Sequence, residues 1–281
     1  MILIKTISEL KTKLNLIRNE GKTIGLVPTM GYLHKGHTSL IEASAKESDI
    51  TLVTIFVNPT QFGPGEDFER YPRNIKRDID MAKLAGADMI FSPEITEVYP
   101  DGYSTYVEVE GITNALCGKT RPQHFRGVTT IVNKLFNIIQ PHRAYFGQKD
   151  AQQVVVVKKM VSDLNMDVDI IVCPIVREED GLAISSRNVY LSPGERNSAT
   201  ILSKALFKAH KIIKKGERNA ENILDSITRT IKLEKGAQIE YIALVDVNTL
   251  GPIDFLSGKV LIALAVKFGR TRLIDNIIVE V

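Results

Sequence analysis

The stretch PTMGYLHKGH, residues 28–37, decides the fold because it joins a strand-like run to a helix-like run. The residues before it, TIGLV (23–27), are aliphatic and partly β-branched, as in a buried strand. The residues after it, TSLIEASAKES (38–48), carry apolar side chains at helical spacing. His34 and His37 therefore lie where a strand turns into a helix, and open α/β sheets bind ligands at such places.

The alternation of strand and helix continues through residue 176. A strand–helix–strand order predicts βαβ units and a mostly parallel, Rossmann-like α/β sheet with helices on both faces. The segment STYVEVE (104–110) is expected to add a strand or two at the edge of this sheet. The predicted strands are 23–29, 50–57, 88–92, 143–147 and 168–176, and the predicted helices are about 37–47, 72–85 (opened by Pro72), 126–139 and 150–163.

The pattern changes after residue 176 and predicts a second, smaller α+β domain. Residues 192–235 are expected to form two helices, the first opened by SPGE, which resembles an N-terminal cap followed by proline. Three strand-like runs follow, at 239–247, 258–268 and 272–281. We therefore expect a first domain of residues 1–176 and a second of residues 177–281.

Composition excludes several classes of partner. A net charge of +3 over 281 residues gives no reason to expect binding to nucleic acid or to an anionic membrane. No apolar run reaches transmembrane length, and MILIKTISEL lacks the pattern of a signal peptide. Cys117 and Cys173 are far apart and are expected to be buried, reduced thiols. These features predict a soluble, cytoplasmic protein.

Four polar clusters follow strand-like runs and are expected to meet at one crevice, because the carboxyl ends of parallel strands share one edge of a sheet. Each cluster alone is weak evidence for a functional site, since polar loops at strand ends are common. The clusters are PTMGYLHKGH (28–37), NPTQFGPGED (58–67), GQKDAQQ (147–153) and ISSRN (184–188).

The histidine pair allows three interpretations. Imidazoles at positions i and i+3 could share a zinc ion, but the other histidines and the thiols have no ligand spacing. The pair could instead simply cap a helix. The third interpretation is phosphate binding, because N–H groups and the helix dipole at a helix N-terminus favour negative charge. There His34 and His37 could donate hydrogen bonds to phosphate oxygens as charge develops.

The third and fourth clusters suit a nucleotide. Gly147 lets the backbone approach a ligand, Lys149 is a mobile charge for phosphate, and Asp150 can accept from ribose hydroxyls. Gln153 lies one helical turn beyond Lys149. Residues 185–187 (SSR) supply two hydroxyls and a guanidinium fork. A solvated strand end and a serine-rich linker are the ordinary alternatives for these two clusters.

Several motifs together resemble a known family. HKGH (34–37) and ISSRN (184–188) resemble the HIGH and KMSKS signatures of the adenylyl-transfer superfamily. More narrowly, the chain resembles the pantoate–β-alanine ligase family over residues 28–192, with the motifs in the same order. The C-terminal part matches that family in length and pattern only. The motifs are PTMGYLHKGH, FVNPTQF, YPRN, HFRGVTTIVNKLF, FGQKDAQQ and SSRNVYLS.

The resemblance implies an ATP-dependent, AMP-forming ligase that condenses (R)-pantoate with β-alanine. Pantoate would form a pantoyl adenylate with release of pyrophosphate, and β-alanine would then displace AMP to give pantothenate. Mg²⁺ would accompany ATP, bound mostly by phosphate and water and by no dedicated protein ligand. The first domain would hold nucleotide and pantoate, the second would act as a lid, and two copies would form a homodimer.

The resemblance also implies roles for individual residues. His37, His34 and Lys149 would be catalytic, with Lys149 on phosphate and Val176 contacting adenine through its backbone. Gln61 and Gln153 would bind pantoate or β-alanine, with Asn58 and Tyr71 as second-rank candidates. The ATP-binding set would be Met30, Gly31, Tyr32, Leu33, His34, Lys35, Gly36, His37, Gly147, Gln148, Lys149, Asp150, Val176, Ile184, Ser185, Ser186 and Arg187.

Two positions depart from the family pattern, and two other functions stay open. Ile184 stands where methionine is expected and Gln148 where glutamate is expected, so the resemblance implies backbone contacts at these positions and not contacts from these two side chains. Another adenylyl-transfer enzyme, such as a nucleotidylyltransferase or a piece of an aminoacyl-tRNA synthetase, would share the signatures. A synthetase would need an RNA-binding surface, for which no basic block is present. A non-catalytic nucleotide sensor would not need the amides of Gln61 and Gln153.

Overall fold

The computed structural model describes residues 1–281, and its elements alternate as the sequence predicts. A strand and a helix that were not predicted, β1 and α1, precede the first predicted strand. The strands are β1 (Ile2–Ile4), β2 (Ile24–Thr29), β3 (Ile50–Ile55), β4 (Met89–Phe91), β5 (Arg143–Gly147), β6 (Asp169–Cys173), β7 (Ala237–Asp246), β8 (Lys259–Phe268) and β9 (Thr271–Glu280). The helices are α1 (Ile7–Asn19), α2 (Lys35–Glu47), α3 (Ile75–Leu84), α4 (Ile95–Val98), α5 (Leu116–Thr120), α6 (His124–Ile139), α7 (Ala151–Asp163), α8 (Pro193–Ser198), α9 (Ile201–Lys214) and α10 (Ala220–Ile231).

Six strands form one parallel sheet in the order β1-β4-β3-β2-β5-β6. The chain runs from β2 outward to β3 and β4, and later returns to place β5 on the other side of β2. The order therefore reverses between β2 and β5, which is the point where open α/β sheets form a ligand crevice at the carboxyl ends of their strands. Residues 30–37 and 147–150 both leave the sheet at that point.

Helices cover both faces of the parallel sheet, as predicted. Successive side chains of a strand point to opposite faces, so Leu26 and Val27 of β2 lie in two separate apolar clusters. Leu26 packs with side chains from α1, α6 and α7, whereas Val27 packs with side chains from α2 and α3. The sheet is thus buried on both sides, which explains its continuous apolar strands.

The last three strands form an antiparallel sheet in the order β7-β8-β9. A separate apolar cluster joins this sheet to α9 and α10. The smaller α+β unit is therefore present, with its own core, and the predicted fold class is confirmed. Ser192 caps α8 through a reciprocal capping box with Glu195, and Pro193 occupies the first turn, as the SPGE motif predicts.

Three details of the sequence prediction are wrong. Residues 104–110 form no strand; instead the backbone of Val107 is bonded to the hydroxyls of Thr129 and Thr130 on α6. The predicted helix at 72–85 begins at Ile75 with Asn74 as its cap, so Pro72 precedes the helix. Residues 192–235 contain three helices rather than two, because α8 ends at Ser198 and α9 begins at Ile201.

Candidate active site

A crevice of about 940 Å³ lies at the carboxyl ends of β2 and β5, with the second sheet along one wall. All four polar clusters contribute to it, as the sequence predicts. Its lining includes Met30, His34, Gly36, His37, Gln61, Gly147, Lys149, Asp150, Gln153, Val176, Ile184, Ser185, Ser186 and Arg187. The other predicted site residues (Gly31, Tyr32, Leu33, Lys35 and Gln148) do not line it.

The turn between β2 and α2 is held in an uncommon backbone conformation. Gly31 and Tyr32 both have positive φ, of 82° and 49°, and a Cβ at Gly31 would lie 2.9 Å from Ile55. Asp78 of α3 is buried and accepts hydrogen bonds from the backbone N–H groups of Tyr32 (2.8 Å) and Leu33 (2.7 Å). This carboxylate thereby fixes the turn that leads into the histidine pair.

His34 and His37 stack on each other at the start of α2, with ring centroids 4.0 Å apart. His34 is the N-cap, and its Nδ1 accepts from the N–H of Gly36 at 3.1 Å, so its proton lies on Nε2. The Nδ1 of His37 is buried and has no partner within the protein. Such an unpaired polar atom in a crevice is available for a ligand or for water.

Both imidazoles are neutral at physiological pH. Burial, with the positive charge of Lys149 added, lowers the pKa of His37 to about 4. Burial, the positive charge that His37 gains below about pH 4, and the charge of Lys149 lower the pKa of His34 to about 2. A neutral imidazole is a hydrogen-bond donor and acceptor that does not attract a substrate by full charge. Lys149 and the two histidines line the same crevice, so the 147–150 and 34–37 segments meet there.

We expect the free energy of unfolding to fall as the pH is lowered from 6.5 to about 4. Folded His37 stays neutral until about pH 4, whereas its ordinary pKa is 6.5, so the unfolded chain binds the proton first. The contribution of neutral His37 to the free energy of unfolding is fully present above pH 6.5 and is lost as the pH falls toward 4. The loss is at most about 1.4 kcal/mol per pH unit for each such histidine. Urea unfolding at pH 7 and at pH 5 measures the free energy of unfolding at each pH.

In a His37→Gln variant the free energy of unfolding should differ less between pH 7 and pH 5, because one of the imidazoles with a lowered pKa is removed. His34 and His124, whose pKa values are also lowered, keep part of the dependence. A His210→Gln variant on α9 is the matched control and should behave as the wild type. An unchanged pH dependence in His37→Gln would show that this imidazole does not resist protonation.

The turn at the end of β5 presents a cation and a carboxylate to the crevice. Lys149 and Asp150 lie 3.7 Å apart as an ion pair, and the Asp150 side chain is about half exposed. Gly147 has open space where a Cβ would be. Gln148 does not line the crevice, and its carboxamide donates to Asn276 of β9 at 3.3 Å.

Residues 184–190 reach the crevice from the side of the second sheet. The Ser186 hydroxyl donates to the carbonyl of Tyr32 at 3.4 Å, which links this segment to the 30–33 turn. Arg187 donates two hydrogen bonds of 2.9 Å to the carboxylate of Asp67. Burial opposes ionisation of Asp67, but the hydrogen bonds and charge of Arg187 hold the pKa of that carboxyl below its ordinary value. Ile184 is buried and donates its N–H to the carbonyl of Val176.

A group of amide side chains lines the crevice beside Met30. The Gln61 side chain accepts from Asn58 (3.2 Å) and donates to the sulfur of Met30 (2.8 Å). The backbone carbonyl of Gln61 accepts from Arg121 (3.2 Å) and from His124 (2.9 Å). Because that carbonyl can only accept, Nδ1 of His124 carries the proton. The buried Asn58 donates to Gln61 and to the carbonyl of Gly127 (3.0 Å), so it positions Gln61 and has no free donor of its own.

Adjacent glutamines of α7 have different surroundings. Gln152 is buried and bonds the backbone of Ile112, Ala115 and Cys117, so it holds α5 in place. Gln153 lines the crevice, and its side chain makes no hydrogen bond within the protein. Its carboxamide is free for a ligand, which supports the choice of Gln153 over its neighbour.

The sequence interpretation missed several residues that shape the crevice. The sequence indicates only that Asp78 belongs to a predicted helix. The two backbone N–H groups that it accepts from lie 45 and 46 residues away along the chain. Glu66 and Asp67 stand in the quoted GPGED stretch, but their partners Arg121 and Arg187 could not be paired with them by spacing. Asn276 lies in the last strand, where alternation alone predicts which face it occupies.

No group of three or more His, Cys, Asp or Glu side chains is arranged to hold a metal ion. No helix has both the length and the apolar character needed to cross a membrane.

Comparison with known proteins gives one consistent result. The family model described as pantoate–β-alanine ligase matches residues 2–278. The chain is 64% identical to the pantothenate synthetase of Acetivibrio thermocellus and 56% identical to that of Caldicellulosiruptor saccharolyticus, each over 281 residues that cover all of both chains.

Solved structures agree with the sequence comparison. The pantothenate synthetase of Thermus thermophilus superposes with a TM-score of 0.95 at 42% identity, covering 99% of each chain. The pantoate–β-alanine ligase of Francisella tularensis, solved with βγ-ATP and β-alanine, superposes with a TM-score of 0.79 at 36% identity, covering 99% of this chain and 97% of that one.

Proposed function

The chain belongs to the pantoate–β-alanine ligase family, and from this we propose that it condenses (R)-pantoate with β-alanine in its crevice, using ATP. The observation that carries the proposal is the meeting of the 30–37, 147–150 and 184–187 segments with the amides of Gln61 and Gln153 around one crevice. The family match favours this reaction over a nucleotidylyltransferase and over a nucleotide sensor.

In the first step the pantoate carboxylate attacks the α-phosphorus of ATP, a new C–O–P bond forms, and the bond to pyrophosphate breaks. The protein contributes position and charge stabilisation. His34 and His37, both neutral, would donate hydrogen bonds to phosphate oxygens at the start of α2, and Lys149 would supply the positive charge opposite them. Asp150 would accept from ribose, and the backbone of Val176 would contact adenine.

In the second step the amine of β-alanine attacks the acyl carbon of pantoyl adenylate, and AMP leaves with its oxygen. The intermediate is a mixed anhydride that water can hydrolyse, so exclusion of water matters. Ile184, Ser185, Ser186 and Arg187 would close over the phosphates from the second domain. Gln61 and Gln153 would hold pantoate, and the remaining members of the 30–37 and 147–150 segments would contribute backbone contacts.

Mg²⁺ is expected to enter with ATP rather than to have a site of its own. Four of the acidic side chains that line the crevice, Glu66, Asp67, Glu240 and Asp275, each pair with an arginine. None of these four is free to ligate a cation, so phosphate oxygens and water would supply most ligands. When bound, the ion would neutralise phosphate charge.

We further propose that residues 1–176 form the nucleotide- and pantoate-binding domain and that residues 177–281 form the lid domain. The separate apolar clusters of the two sheets support this division. A homodimer in the cytoplasm is the assembly and location that the family suggests.

Exchange of labelled pyrophosphate into ATP tests the proposed function directly. Exchange should require pantoate, should not require β-alanine, and should not occur with amino acids or nucleotide phosphates in place of pantoate. Exchange supported by another acid but not by pantoate would point to a different adenylyl-transfer enzyme, and binding of ATP without any exchange would point to a sensor.

Replacing Gln61 or Gln153 by alanine should raise the KM for pantoate about tenfold or more, with little change in the KM for ATP, because each removes a hydrogen bond to pantoate. Steady-state kinetics with each substrate varied in turn measures the two values. A Gln238→Ala variant, on the exposed part of β7, is the matched control. Equal losses for both substrates would show that this corner of the crevice binds another ligand.

A further inference from the structure

The final strand of the chain contacts the crevice at a place to which the proposed function gives no role. We propose that Asn276 of β9 is a positioning residue for the nucleotide-binding turn Gly147–Asp150. This inference rests on the proposed function, since it concerns how that turn binds ATP. Asn276 lines the crevice and is 2% exposed.

Alternation along β9 divides its side chains between two neighbours. Leu273 and Val279 pack in the core of the second sheet. Ile274, on the opposite face, packs against the core of the parallel sheet. Asn276 shares the face of Ile274 and therefore points at the first domain. A polar side chain buried at this contact needs partners there.

Asn276 finds those partners in the turn itself. Its Nδ2 donates to the carbonyls of Gln148 (2.9 Å) and Lys149 (3.0 Å), and its Oδ1 accepts from the Gln148 side chain (3.3 Å). One carboxamide thus uses both donors and its acceptor on two consecutive residues. These bonds fix the backbone from which the Lys149 and Asp150 side chains extend toward the crevice.

The neighbouring residue ties the same strand to the other nucleotide segment. Asp275 is buried and accepts from both terminal nitrogens of Arg177, at 2.6 and 2.8 Å. Arg177 also donates to the carbonyl of Gly181, in the loop that leads to residues 184–187. Asn276 thus holds the 147–150 segment from one face of β9. From the other face Asp275, through Arg177, holds the loop that leads to the 184–187 segment.

Loss of the Asn276 amide would remove its two hydrogen bonds to the part-buried carbonyls of Gln148 and Lys149. A partly buried acceptor that loses a donor is destabilised, so the turn would rotate toward water or another donor. Because Lys149 and Asp150 move with the turn, ATP binding should weaken. Pantoate binding should change less, since Gln61 is held by Asn58, Arg121 and His124 and not by this turn.

The test compares Asn276→Leu, which keeps the branched shape without donors, with Asn276→Ser, which keeps one donor. Calorimetric titration with a non-hydrolysable ATP analogue and pyrophosphate exchange give ATP and pantoate affinities. We expect ATP affinity to fall about 10- to 100-fold in Asn276→Leu and less in Asn276→Ser. Asn248→Leu, in an exposed turn of the same domain, is the matched control.

The outcomes separate the two proposals. Unchanged ATP affinity, or equal losses for ATP and pantoate, overturns the positioning role. If Asn276→Leu does not fold, Asn276→Ser decides in the same way. A wild type that binds the analogue but catalyses no pantoate-dependent exchange overturns the proposed function, while analogue affinities of the variants still decide the role of Asn276. A wild type that does not bind the analogue overturns both.

Discussion

Replacing His37 by alanine should lower pantoate-dependent exchange between ATP and pyrophosphate about 10²–10³-fold. His37 is partly buried at the start of α2, its buried Nδ1 has no partner, and the charge of Lys149 acts on its ring. Loss of one preorganised donor to a developing phosphate charge costs roughly 2.7–4 kcal/mol of transition-state stabilisation. Exchange kinetics at saturating ATP and pantoate measure the effect.

Thermal unfolding should change little in this variant, because the His37 side chain makes no hydrogen bond within the protein that its loss would break. His210→Ala on α9 provides the control for removal of an imidazole far from the crevice. Near-normal exchange in His37→Ala would remove this residue from the mechanism. A large loss of ATP affinity with unchanged turnover would instead give it a role in ground-state binding.

The sequence predicted the architecture well because the strands of the parallel sheet are buried on both faces. Such strands are continuous apolar runs, and the helices between them have one apolar stripe, so both patterns are visible without tertiary information. Residues 104–110 show the limit. Their alternation of apolar and acidic residues predicts a strand, but a strand requires a neighbour to pair with. Here Val107 bonds to the hydroxyls of α6 instead.

The site was predictable to the extent that its residues follow strands of one parallel sheet. The 30–37 and 147–150 segments meet because strand order reverses between β2 and β5. Partners that come from distant parts of the chain were not predictable. Asp78 supports the 30–33 turn across 45 residues, and Asn276 reaches Lys149 across 127 residues. The first pair depends on how α3 packs beside the 30–33 turn, and the second depends on how the second sheet docks. No local pattern encodes either arrangement.

Replacing Arg187 by alanine should lower pyrophosphate exchange about 100-fold. Its guanidinium is paired with Asp67, at 2.9 Å through two nitrogens. Phosphate oxygens suit the same fork of donors, so ATP would compete with Asp67 for Arg187. The proposed function therefore requires this ion pair to open or to be shared when the nucleotide binds, and exchange kinetics with varied ATP measure the consequence.

The ion pair also complicates the simple variant, because Arg187→Ala leaves the carboxylate of Asp67 half-buried without its partner, which by itself destabilises the 62–74 segment. Two further variants separate the effects. Asp67→Asn breaks the charge pair but keeps the guanidinium, and it should retain exchange with an unchanged or tighter affinity for ATP. The double variant Arg187→Ala with Asp67→Asn removes both charges. If the guanidinium itself binds phosphate, the double variant stays as inactive as Arg187→Ala, whereas recovery of exchange would show that the orphaned carboxylate caused the loss.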